Sequence, residues 1–155
     1  MKISLVAFFF AGILFSSNLF AQNEATKNLM AGRDFLEENV KRKEVKVTSS
    51  GLQYEVLNRG EGTKSPRKSD RVAINYRGTL LDGTTFDRTT LGRPAIIKLS
   101  GVIKGWKEAL TRMVEGDKWK IYVPHKLGYG GLGSPPRIGP NATLVFEIEL
   151  LKINP

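Results

Sequence analysis

Tyr76, Phe86, Asp87, Val102, Ile103, Trp106, Tyr129 and Phe146 form an aromatic-rich set with a single carboxylate, spaced along the chain between Val72 and Phe146. The set contains no evident nucleophile, general base or metal ligand. Side chains of this kind bind an apolar group and strip water from it, which suits a reaction that moves no proton. Rotation about an X–Pro amide is the leading example, because that tertiary amide has two nearly isoenergetic planar forms separated by a high barrier.

Motifs for other chemistry fail on context. Gly128-Tyr129-Gly130-Gly131-Leu132-Gly133 fits G-x-G-x-x-G, with Glu147 and Glu149 near the expected acidic position. A dinucleotide site needs a helix after that turn, and Ser134-Pro135-Pro136 forbids one. Asp82-Gly83-Thr84 only permutes the aspartic protease triplet and reads as a turn. His125 is the single histidine and cysteine is absent, so neither a nitrogen and sulfur ligand cluster nor an acyl-transfer triad is recognisable. Asn141-Ala142-Thr143 matches a glycosylation sequon, a pattern common by chance. No cofactor and no metal are expected.

The elements that position the aromatic set follow from periodicity. Arg71–Leu80 alternates Val72, Ile74 and Tyr76 against Ala73, Asn75 and Arg77, and Asp82-Gly83 turns the chain. Val45, Val47, Leu52, Tyr54 and Val56 mark earlier strands around Ser49-Ser50-Gly51, and Asn58–Asp70 is a solvated loop. Ala95, Ile97 and Leu99 form a short strand before a helix on which Trp106, Leu110 and Met113 share a face. Trp119, Ile121 and Val123, then Leu144, Phe146, Ile148 and Leu150, make the last inward rows. Five or six strands and one central helix without a βαβ rhythm predict an α+β fold, a curled antiparallel sheet wrapped over the helix.

From Asn23 to about Lys43 the spacing predicts a further helix, with Ala25, Leu29, Leu36 and Val40 along one face, Gly32 weakening its middle, and Lys41-Arg42-Lys43 suiting the negative pole of its dipole. The face packs on its own domain or serves as a dimerisation arm. The stripe is short for an obligate interface, so a monomer is expected. Lys2, the apolar run Leu5–Phe15 and a polar exit read as a secretory signal peptide over residues 1–21, cleaved after Ala21, and the run is too short to anchor the chain in a bilayer. Export without cysteine leaves the core to hold the fold unaided. The formal charge of +9 favours anionic partners in general, but the basic residues are scattered and do not form a nucleic-acid stripe.

The order of five blocks is more specific than any single one. Asn75-Tyr76-Arg77-Gly78, Asp82-Gly83-Thr84-Thr85-Phe86-Asp87, Gly101-Val102-Ile103-Lys104-Gly105-Trp106, Leu127-Gly128-Tyr129-Gly130 and Pro140-Asn141-Ala142-Thr143-Leu144-Val145-Phe146 together resemble the FKBP family of peptidyl-prolyl isomerases. The likeness covers about Gly51 to Lys152, and Thr48-Ser49-Ser50-Gly51-Leu52-Gln53-Tyr54 with the upstream helix resembles its exported, Mip-like branch with a shortened N-terminal region.

The resemblance implies an FKBP-like fold over residues 45–155 behind an N-terminal helical segment at 22–44. It implies a proline pocket lined by Tyr76, Phe86, Val102, Ile103, Trp106, Tyr129 and Phe146, with Trp106 as the floor and Ile138 closing one rim. The Ile103 N–H would donate to the substrate carbonyl, Tyr129 would offer its hydroxyl, and Asp87 a polar contact beside the rotating amide. Phe86, Asp87, Tyr129 and Phe146 would act on the amide itself. Proline-containing unfolded or exported polypeptides are the implied partners, and macrolides of the FK506 class the implied ligands. The chain departs from the family at three places: Ala95 stands where an aromatic is common, Gly139 replaces the first of a common Pro-Pro pair, and Arg137 puts a charge beside Ile138. A periplasmic or secreted prolyl isomerase is the leading reading. A chaperone or binding module for proline-containing segments with little turnover is the alternative, and a surface protein using its basic face is a third.

Overall fold

The computed structural model describes the backbone from residue 7 onward and the side chains from residue 22 onward, so the first residues of the expected signal segment, and the side chains of the rest, lie outside the described residues. Helix α1, Ala7–Asn39, runs past Ala21 without a break. It is followed by β1 (Lys46–Val47), β2 (Gln53–Asn58), β3 (Arg71–Thr79), β4 (Thr85–Arg88), β5 (Ala95–Lys98), α2 (Lys104–Leu110), β6 (Lys118–Val123) and β7 (Leu144–Ile153). Among the described residues no helix is long and apolar enough to cross a membrane.

The strands form one antiparallel sheet in the order β1-β2-β6-β7-β3-β4, with β5 also pairing β3. Alternation dictates which face turns inward. Trp119, Ile121 and Val123 of β6 and Leu144, Phe146, Ile148 and Leu150 of β7 are buried, each such side chain contributing about 1.5–3 kcal/mol. Trp106, Ala109 and Leu110 of α2 join them in one core. The approach of α2 to β6 depends on Gly105, where a Cβ would come to 2.7 Å from Val123 Cγ1. Met113, expected on the same helical face, is fully buried but lies just beyond the end of α2.

Strand β3 carries the central constraint of the topology. β7 pairs along nearly its whole length, while the opposite edge is divided between β5, at Arg71–Ile74, and β4, at Arg77–Thr79. Tyr76 falls in the gap. Its backbone is satisfied there by Thr89, whose N–H donates to Tyr76 O at 3.0 Å and whose Oγ1 accepts from Tyr76 N at 3.0 Å.

Helix α1 departs from expectation in both its end and its contact face. It stops at Asn39, so Lys41-Arg42-Lys43 lies outside it and no basic residue occupies its last turn. Leu29 and Val40 are exposed, at 44% and 39%, and do not pack on the domain. The docked face is Asn28, Gly32, Phe35 and Asn39, at steps of three and four residues, flanked by Ala25 and Leu36 of the expected stripe, which are partly buried and whose carbonyls accept from Asn141 and Gln53. Asn28 Nδ2 donates to Pro140 O at 2.9 Å, Phe35 packs on Tyr122 with ring centres 5.6 Å apart, and buried Asn39 donates to buried Gln53 at 2.9 Å. The surface that α1 meets is largely polar backbone and amide, so hydrogen-bonding residues fit it better than leucines. Arg42 completes the join by bonding Tyr122 and Glu55. Burial and then the Glu55 hydrogen bond push the Tyr122 phenol up to about 12.

Gly32, expected to weaken the helix, is buried where α1 touches the domain, and a Cβ there would run into Thr143 Oγ1. Gly32→Ala therefore sets two effects against each other: a helix-propensity gain of about 1 kcal/mol and overpacking of about 1–3 kcal/mol. Urea unfolding is expected to show net destabilisation, most of it recovered in Gly32→Ala/Thr143→Ala. A Gly32→Ala chain as stable as wild type would mean that α1 is not seated on Thr143.

Candidate active site

Tyr76 from β3, Trp106 from α2, Phe146 from β7 and Phe86 from β4 meet as a continuous edge-to-face array. Ring centres lie 4.9 Å apart for Tyr76–Trp106, 5.1 Å for Trp106–Phe146 and 5.5 Å for Phe86–Phe146, with interplanar angles of 78°, 80° and 89°. Edge-to-face geometry places positive ring edges on negative ring faces, worth about 0.5–1.5 kcal/mol a pair beyond area burial. Trp106 and Phe146 are buried, whereas Tyr76 and Phe86 are partly open to solvent. Gly78 makes room for this packing, since a Cβ on it would lie 2.7 Å from both the Phe86 and the Phe146 rings.

The polar groups sit at the edge of the array. Tyr76 OH donates to Asp87 Oδ2 at 2.6 Å, and the other Asp87 oxygen accepts the Arg88 N–H at 2.9 Å. Burial pushes the Tyr76 phenol well above its ordinary range, and the hydrogen bond to Asp87, that carboxylate's charge and nearby Tyr129 act in the same direction. Tyr76 therefore stays protonated and donating at any physiological pH. Ile103 precedes the first turn of α2 and its carbonyl accepts from Lys107 at 3.1 Å, while its N–H has no partner among the described residues.

Tyr129 stands on a turn built by one carbonyl: His125 O accepts from both Gly128 N, at 3.0 Å, and Gly130 N, at 2.9 Å. Tyr129 is 42% exposed. Beyond it a flap returns through a short pairing of Ser134 with Ile138, and Ile138 is buried against the core together with partly buried Val102 and Ile103. Gly139, read as a departure from the family, has a physical reason: a Cβ there would run into the Glu24 carboxylate and come to 3.0 Å from Asn28 Nδ2 on α1. A separate hollow of about 540 Å³ between the 62–70 loop and Asn154 has no aromatic lining and offers nothing like this chemistry.

The structure thus brings Tyr76, Trp106, Phe146 and Phe86 into ring contact, bonds Asp87 to the Tyr76 hydroxyl and packs Val102, Ile103 and Ile138 on the same core, while Tyr129 stands on an exposed turn. Four contributors escaped sequence reasoning. Thr89 holds the Tyr76 backbone, Gly78 accommodates the rings, the His125 carbonyl shapes the Tyr129 turn, and Arg137 donates to Phe86 O at 3.1 Å. Thr89 and His125 act on or through backbone atoms, which leave no periodic signal.

Comparison with known proteins agrees with this geometry. Residues 62–151 match the family described as FKBP-type peptidyl-prolyl cis-trans isomerase, and residues 14–56 match the domain amino terminal to it. The chain is 50% identical over 123 residues to the FKBP-type 22 kDa peptidyl-prolyl cis-trans isomerase of Escherichia coli, covering 79% of this chain and 59% of that protein. It is 47% identical to the peptidyl-prolyl cis-trans isomerase Mip of Coxiella burnetii, covering 81% of this chain and 55% of that one. The crystal structure of FkpA from Escherichia coli superposes with a TM-score of 0.90 at 40% identity, over 99% of this chain and 75% of that chain. The chain spans about half to three-fifths of the length of the curated relatives it matches. On the family match and these identities, the chain belongs to the FKBP-type peptidyl-prolyl cis-trans isomerases.

Proposed function

We propose that the chain accelerates rotation about X–Pro bonds in exported polypeptides, binding the proline ring on the array of Tyr76, Trp106, Phe146 and Phe86. The observation that carries this reading is the array itself, an apolar site with the Tyr76–Asp87 hydrogen bond along its edge. Trp106 forms the floor, Phe86 and Phe146 the walls, and Val102, Ile103 and Ile138 the rim. The Ile103 N–H donates to the substrate carbonyl, and Tyr129 and Asp87 face the amide from the open edge. FK506-type macrolides are expected to compete for the same surface.

Amide resonance stabilises the planar forms and opposes the twisted one by about 18–20 kcal/mol. Water favours the planar amide, which is the more dipolar, so removing it in an apolar cleft raises the ground state relative to the twist. Donors set for the twisted geometry then bind it in preference. Shortening an isomerisation from about a hundred seconds to about a millisecond requires about 7 kcal/mol, more than one contact supplies.

A prolyl-peptide isomerisation assay on the chain is the direct test. Phe86→Ala and Tyr129→Phe are expected to lower kcat/KM while leaving the fold intact, and Phe146→Ala to lower it at an added stability cost of about 3–5 kcal/mol. Unchanged kcat/KM in a folded Phe86→Ala or Tyr129→Phe chain would remove those residues from the site. Binding of prolyl peptides without turnover by wild type would favour the chaperone alternative.

Because no proton moves, kcat/KM is expected to be flat from about pH 6 to 8 and insensitive to a chelator. Stability behaves differently. Burial, then the charge of Lys126, lowers the His125 pKa in the folded chain, so the unfolded chain binds the proton more readily and stability falls as pH drops through about 6.5. Unfolding across pH should show this slope in wild type and lose it in His125→Gln. A bell-shaped activity profile abolished by that substitution, or activity lost on chelation, would replace desolvation with acid–base or metal chemistry.

Export to the periplasm or beyond is part of the proposal, supported by the order of charged start, apolar run and polar exit and by a relative in Legionella longbeachae named outer membrane protein MIP. Intact mass from the host is expected to show cleavage near Ala21, and full-length protein in the cytoplasm would overturn it. Light scattering of the processed chain is expected to give a monomer, since exposed Leu29, Met30 and Val40 offer little area for a stable contact. A concentration-independent dimer would assign that stripe to an interface.

A further inference from the structure

Next to the array, bordered by Phe86 itself, lies a cleft of about 550 Å³ whose walls are the Thr84–Arg88 stretch and Pro136-Arg137. Arg137 reaches across it, its Nη1 donating to Phe86 O at 3.1 Å. That bond uses one of five guanidinium N–H donors and tethers the rest beside a wall of the proposed proline pocket. Arg88 lies on the opposite wall, whereas Arg77, whose Nε donates to Thr85 Oγ1 at 3.0 Å, opens into a separate hollow beside Glu147. Among the described residues none of the three forms an ion pair. Asp87 also lines the cleft, where it accepts from Tyr76 OH and from the Arg88 main-chain N–H, and its single negative charge against the two lining guanidinium groups leaves the cleft net positive.

We propose that this cleft is a subsite for an acidic side chain, with Arg137 the residue that makes prolyl segments carrying Asp or Glu beside the proline better substrates than those carrying Lys. The inference rests on the isomerase reading and adds a substrate class to it. The cleft and the array share Phe86, so the residues flanking a proline seated on that ring lie close to an arginine that is held in place before binding. Guanidinium and carboxylate pair through planar, two-pronged hydrogen bonds. The cleft is open to water, so the preference is about fivefold and not larger, and it weakens as salt screens the charges.

The test compares prolyl peptides identical except for Glu, Gln or Lys, placed before the proline in one set and after it in the other. Wild type, Arg137→Gln and Arg88→Gln are assayed as full chains for kcat/KM and for affinity by calorimetry, at low and at physiological salt. Each reading is a ratio between peptides within one variant, so a general loss of fold or turnover cancels. Wild type is expected to favour Glu over Lys about fivefold in one set, with Gln between, and Arg137→Gln to bring that ratio close to one. Equal handling of Glu, Gln and Lys by wild type, a ratio that survives Arg137→Gln, or a ratio abolished only by Arg88→Gln would overturn the assignment. If no peptide is turned over but the order of affinities and its dependence on Arg137 remain, the isomerase reading fails and the acidic subsite stands.

Discussion

Trp106 must lie edge-on to Tyr76 and Phe146 at once, with ring centres 4.9 and 5.1 Å away, and that requirement ties three elements together. Tyr76 belongs to β3, Phe146 to its neighbour β7, and Trp106 to the helix crossing the inner face. The indole reaches the two rings only if α2 settles closely on β6, which the missing side chain of Gly105 allows. Its Nε1 is buried and has no hydrogen-bond partner among the described residues, at a cost of about 1–3 kcal/mol. The ring contacts and the buried indole area offset that cost, and the result is an apolar floor. An apolar floor is what a desolvating site needs, so the feature that taxes the core is the one that suits the chemistry.

Strand and helix positions within the domain were legible because burial there is one-sided. Inward rows in β6 and β7 alternate with residues left partly open, Tyr122 under Phe35 of α1 being the exception, and a period of two survives in the residue types. The N-terminal helix was misjudged for the opposite reason. Its contact surface presents Pro140 O, Thr143 and Gln53, and it is met by Asn28, Gly32 and Asn39. Apolar periodicity registers greasy faces only, so Leu29 and Val40 drew the reading toward a side of α1 that faces water.

The aromatic members of the candidate site were legible as types and spacings, but their convergence rested on resemblance to a family. What neither could show is how the backbone is held. Tyr76 sits in a gap between two strands sharing one edge of β3, and a threonine from a loop fills the missing pairing. Tyr129 is presented by two N–H groups converging on one carbonyl, so the side chain of His125 is incidental to a turn its main chain builds. Gly139 looked like a loss from the pattern until the helix was in place beside it, where a Cβ would meet Glu24 and Asn28.

This division between an apolar interior and a polar edge also decides where selectivity can arise. A proline ring is common to every substrate of the proposed reaction, so contacts with Trp106, Phe146 and Phe86 favour all of them alike. Apolar pockets discriminate weakly in any case, at about 1–3 kcal/mol for a methylene gained or lost. Differences between clients must be read by groups that touch the flanking residues, and those are the side chains on the open edge. There Asp87 is occupied by Tyr76 and by the main chain, while Arg88 and Arg137 keep donors free. On the proposed reading the pocket would set the reaction and Arg137, held on the backbone of Phe86 at the edge, the choice of chain.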